Sequence, residues 1–191
     1  MDIIADLMKQ VATGDNLSLI SKSVGSDEKS VQSALDMGLP MIMGSMAQTA
    51  QKPGGADMIT SMMGQMGGSN PLDNLGGFLG SSAASGGSGM AHSILGSQMA
   101  PISNAIAQKT GLPPAVVEKI LAIATPMIMG YVTKSMGGKQ VDQQGLASLL
   151  GDQSKMAMQS SPDASRLAER VLGSQKDAAG VPGVLKKFLG K

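Results

Sequence analysis

The amino-acid sequence predicts an all-α, multihelical protein: two divergent copies of one helical unit packed together, with a Gly-rich linker between them. Three observations carry that prediction. Seventeen of the 191 residues are methionine and only Phe78, Tyr131 and Phe188 are aromatic. The core must therefore be aliphatic and methionine-filled, a composition that suits helices better than strands. The run Pro40-Met41-Ile42-Met43-Gly44 recurs unchanged as Pro126-Met127-Ile128-Met129-Gly130, at an offset of 86 residues, and self-similarity at a fixed offset marks a duplicated structural unit. Apolar residues between the turn signals also fall at three- and four-residue spacing, the period of a helix with one buried face.

The elements follow in order. Met1 to Lys9 reads as an amphipathic helix with acids where an export signal needs basic residues, so a cytoplasmic location is expected. In the first copy, residues 1–66, a helix through Ile20 ends at Gly25, and Ser26-Asp27-Glu28-Lys29 supplies an N-cap with acids in the first turn of the next. Val31 and Leu35 continue that helix to Pro40, which lacks an amide donor and should break or kink it. A short helix at Ile59 to Gly64 completes the unit.

Residues 67–89, rich in Gly, Ser and Ala, read as a mostly flexible linker with one short helix around Pro71 to Leu79. The second copy, residues 90–174, repeats the plan with different chemistry. Ile102, Ala105, Ile106 and Lys109 share a helix face, Gly111 ends that helix in a left-handed conformation, and Pro113-Pro114 suits the start of the next. Val117, Ile120, Leu121 and Ala124 form an apolar face leading to Pro126, and Leu146 to Gly151 matches the short helix of the first copy with one residue inserted. Asp163 to Leu172 reads as a polar-faced helix begun near Ser161 or Pro162 and stopped at Gly173. Residues 175–191 form a short basic amphipathic tail, in which Val184, Leu185, Phe188 and Leu189 alternate with Lys186, Lys187 and Lys191.

Composition narrows function by exclusion. Fifteen Lys and Arg against fourteen Asp and Glu leave a net charge of +1, so no global field recruits a polyanion. No cysteine is present, which removes disulfides, thiolate metal sites and thiol nucleophiles. The one histidine, His92, has no acid at triad or ligand spacing, and the carboxylates are scattered singly rather than arranged as a calcium loop. Gly64 to Asn70 follows no strand and lacks the Lys-Ser/Thr ending of a phosphate loop. No enzyme activity, cofactor or metal is therefore expected. The longest apolar stretch, Ile120 to Val132, is about thirteen residues where a membrane span needs about twenty.

With these motifs in view, Leu75-Gly76-Gly77-Phe78-Leu79-Gly80 and the segment from Ile102 to Gly130 resemble the YidB-like bacterial domains of unknown function. The resemblance implies a multihelical fold and supplies no activity. A shorter likeness, from Ile106 to Pro113, is to the helical body of the histone-like HU proteins, without the β-arm with which those proteins wrap DNA.

Two functional readings remain. The first is a non-enzymatic helical protein that works by protein association or assembly, as a homo-oligomer or with a protein partner. Its candidate contacts are Met41, Met43, Met127 and Met129, since methionine stripes make adaptable binding surfaces; the same spacing equally suits a core. The alternative is a weak DNA-binding regulatory protein, because Ile106 to Leu121 has the shape of a helix-turn-helix. Its candidate contacts are Lys109, Lys119, Lys134 and Lys139, with neither Arg nor Asn or Gln aimed at base edges. Peripheral membrane contact through residues 181–191 would be marginal, with three lysines and a few apolar side chains.

Overall fold

A computed structural model describes residues 3–12, 15–65, 70–135, 143–160, 162–167 and 169, and all secondary structure among them is helical. The elements are α1 (Ile3–Ala12), α2 (Asn16–Val24), α3 (Glu28–Ala50), α4 (Gly55–Gln65), a 3-10 turn (Pro71–Asn74), α5 (Leu75–Leu79), α6 (Ser82–Leu95), a second 3-10 turn (Gly96–Gln98), α7 (Met99–Thr110), α8 (Pro114–Ser135) and α9 (Gln143–Ser160). Residues 162–167 are also helical.

Two long helices, α3 and α8, pack against each other at the centre; α9 and α4 lie against α3, α6 against α8, and α7 against both. Both central helices are buried along most of their length. By length and composition α8 is apolar enough to cross a membrane, but 72% of its most apolar window is buried by the other helices, as expected of a central helix in a folded core.

The turns form as the sequence requires. Gly25 (φ 72°) and Gly111 (φ 74°) are both left-handed and close α2 and α7, a conformation in which a Cβ would meet the following carbonyl. Asp27 caps α3 by accepting the Ser30 amide at 2.9 Å, and that hydrogen bond holds its carboxyl below the ordinary range. Burial, and then the Asp6 carboxylate of α1 to which it donates, push the Tyr131 hydroxyl of α8 up.

Neither proline breaks its helix. Pro40 lies inside the continuous α3 and Pro126 inside the continuous α8, so each removes one hydrogen bond and frees the carbonyl four residues earlier, those of Asp36 and Ala122.

The stretch expected as a flexible linker is different in structure. Its described residues, 70–89, are largely helical, and α6 packs along α8. The reason lies in Gly87, which is buried; a Cβ there would collide with the Ala122 carbonyl oxygen and sit 3.4 Å from the Pro126 ring. Glycine thus lets the α6 backbone lie close to the carbonyl that Pro126 has stripped of its donor. The small residues there permit close approach of two helices.

Candidate functional site

The four methionines singled out as candidate contacts, Met41, Met43, Met127 and Met129, have no exposed surface. They fill the contact region of α3 and α8, so the folded chain presents none of them to a partner. Long unbranched thioethers fit the irregular space beside the two helix-interior prolines.

The candidate DNA-contact lysines do not form one face. Lys109 pairs with Asp163 and Lys134 with Asp73, each at 3.3 Å. Lys119 is exposed on the second turn of α8, about 22 Å along the axis from Lys134 at 1.5 Å per residue. Lys139 lies outside the described residues. The helix that a helix-turn-helix would insert into the groove is α8, which is spent on the core.

Among the clefts formed by the packing of the described residues, two lie where several helices meet. The first, of about 330 Å³, separates the end of α3 from the junction of α6 and α7. Its inner wall is a polar seam: the Ser45 hydroxyl donates to Gln98 Oε1 at 2.9 Å, Gln98 Nε2 donates to Gln48 Oε1 at 3.3 Å, and the Thr49 hydroxyl donates to the Ile94 carbonyl at 3.4 Å. Ser45, Thr49 and Gln98 are buried, so these bonds offset the desolvation of their polar groups. The α3–α4 turn closes the end of this cleft. Gly55 sits directly on the Thr49 carbonyl, where any Cβ would collide.

The second cleft, of about 520 Å³, opens where the end of α2, α5, α6, the start of α7 and the first half of α8 converge. Its floor is apolar: Val24, Met99, Ala122 and Ile123, with the half-buried Leu79 at one side. Ser23, Ser88, His92, Ala115 and Lys119 form an exposed rim. On the wall, the Glu118 carboxylate lies 3.3 Å from the fully buried Ser103 hydroxyl, whose single proton it shares with the Ala100 carbonyl at 3.0 Å, and the carboxylate can meet a cation entering the cleft. A mostly apolar concavity with a few placed polar groups is the usual form of a binding site. Chemically it offers burial of apolar side chains, with one carboxylate, Glu118, and two basic side chains, His92 and Lys119. Among the described residues, no three His, Cys, Asp or Glu side chains come together as a metal set.

None of the floor residues stood out in the sequence. Ala122 and Ile123 belong to an α8 segment that is apolar on every side, so periodicity assigns them no face, and Leu79 and Met99 reach the cleft only because α6 is a packed helix rather than a linker.

The fold and the cleft define a class: an all-helical protein centred on two proline-containing helices, with an apolar recess beside the second. The chain belongs to a bacterial protein family of unknown function, DUF937, which matches residues 6–135. That match runs from α1 to the end of α8, straight through the Gly-rich segment, and contains every residue of the cleft. No curated protein and no solved structure matches the chain.

Proposed function

We propose that this protein is a non-enzymatic, cytoplasmic helical module that works by protein association, receiving an amphipathic segment in the apolar cleft between α2, α5, α6, α7 and α8. The observation that carries the reading is the exposed mouth of that cleft over a floor of Val24, Met99, Ala122 and Ile123. Helix-in-groove recognition uses such a recess to bury a few apolar anchors, while rim charges set orientation. The contact is thus assigned to this cleft and not to the methionine stripe.

The test is light scattering coupled to size-exclusion chromatography over a range of protein concentrations, for the native chain and for Leu79→Glu and Ala115→Glu. Both positions line the cleft without belonging to the fully buried core. A concentration-dependent oligomer that both substitutions dissociate supports the reading; an oligomer indifferent to both refutes it.

Internal duplication is part of the same reading. Its support is the shared left-handed glycine at Gly25 and Gly111, and the shared proline inside α3 and α8, each pair 86 residues apart. The YidB-like likeness is compatible with membership of the bacterial family and adds no activity. DNA binding is the alternative, and two paired lysines weigh against it. Adding duplex DNA at low and moderate salt to the scattering experiment tests it, since phosphate binding weakens steeply with salt.

A further inference from the structure

We propose that the first occupant of the cleft is this chain's own segment 181–191, which covers the apolar floor until a partner displaces it. The inference rests on the reading of the cleft as an association site and names what fills it.

The segment has the matching chemistry. Wound as a helix, Val184, Leu185, Phe188 and Leu189 share one face, with Lys186 and Lys187 on the other and Lys191 at the edge of the apolar face, in line with Val184, and Pro182-Gly183 precedes them as a start signal. The cleft, about 520 Å³, falls within the range of roughly 300–1,000 Å³ typical of sites that bury most of a compact ligand. Phe188 is one of only three aromatic residues in the chain and is the natural anchor, since an aromatic side chain gains most from filling a recess. The Glu118 carboxylate lining the cleft suits a lysine ammonium group.

The chain's path allows it. The Asp163–Lys109 ion pair, together with the buried Ala164 and Leu167, moors residues 162–167 beside the end of α7. From Lys109 the chain reaches Ala115, the first cleft residue of α8, in six residues, a span of at most about 20 Å. The eleven residues 170–180 extend to about 36 Å, so segment 181–191 reaches the cleft with slack. A tether of that length holds it there at an effective concentration on the order of millimolar, and a partner must then outcompete it, which lowers the partner's apparent affinity by the fraction of closed clefts.

The absence of cysteine gives a direct test. Gly190→Cys in the full chain accepts a single nitroxide label, and methyl signals of Met99 and Ile123 report its distance. The expected result is loss of the Met99 and Ile123 signals at every protein concentration, with recovery when Phe188→Asp is added; circular dichroism verifies that the helical fold is retained. Signals no weaker than those of other methyls would overturn the proposal. Loss that grows with protein concentration would also overturn it, by making the occupant the segment of a second copy, and would leave the association reading standing. Met99 and Ile123 signals that stay intact while label mobility drops on vesicles of anionic lipid would overturn it in favour of a membrane contact. Failure of the association reading is seen separately, in the indifference of the oligomer to Leu79→Glu.

Discussion

The two proline-containing helices differ in the surroundings of the carbonyl each proline frees. In α8 the Ala122 oxygen lies against the buried Gly87 of α6, whereas in α3 the corresponding carbonyl belongs to Asp36, an exposed residue. Near-identical local sequence thus sits in two different settings: one freed carbonyl lies against a neighbouring helix and the other belongs to a residue at the surface. The difference teaches that the Gly-rich segment before α7 is a structural complement to the second kink.

The sharpest way to break the comparison is at the helix crossing. Gly87→Ala places a methyl against a backbone oxygen that cannot rotate away, and should cost about 1–3 kcal/mol in chemical denaturation, the usual range for overpacking. Gly89→Ala, in the same helix but exposed with nothing near its Cβ position, should instead stabilise by up to about 1 kcal/mol through helix propensity. Equal effects at the two positions would mean that α6 does not approach α8 as closely as described.

Next in size are the kinks. Pro40→Ala restores the donor for the Asp36 carbonyl and should be tolerated better than Pro126→Ala, which straightens the helix into α6 and empties space beside Gly87; a difference of about 1–2 kcal/mol between the two is expected, within the spread for buried large-to-small changes. A smaller effect of about 1 kcal/mol should come from Gly25→Ala and Gly111→Ala, and it should be similar at both, since both force a Cβ into the left-handed region. Unequal losses would argue against treating the two turns as equivalents.

The smallest effect separates the two turns by pH. Asp27 caps α3, while α8 starts on Pro114. The folded-state pKa of Asp27 is lowered by the Ser30 amide, so its contribution is present above the ordinary value of 3.8 and is lost as pH falls through the lower folded value. Asp27→Ala should therefore lower the thermal midpoint at neutral pH, and the gap from the native chain should close below pH 3.8. No such pH dependence is expected from substitution at Pro114.

Much of the fold was legible because its signals are local. Gly25, Asp27, Gly111 and Pro113-Pro114 mark helix ends by backbone chemistry that no tertiary context alters. The nature of the Gly/Ser/Ala segment was hidden, because α6 packs through the absence of side chains at Gly87 and a missing side chain has no hydrophobic period. The methionines were legible as an apolar stripe, but a stripe carries no label for core or surface; burial of α3 against α8 decides that, and it is a long-range fact. The cleft could not be read at all, since its floor draws Val24 from α2, Met99 from α7 and Ala122 and Ile123 from α8.

One consequence belongs to the polar seam of Ser45, Gln48, Thr49 and Gln98. A core of methionine, isoleucine and alanine is soft: many slightly shifted packings would have nearly the same apolar burial, and such a core on its own discriminates poorly among them. The amide of Gln98 does discriminate, because sliding α3 by one turn along the α6–α7 junction would leave a buried donor and acceptor without partners at about 1–3 kcal/mol each. The seam therefore acts as a key that holds an adaptable interior in a single register, and with it the shape of the recess on the other side of α6.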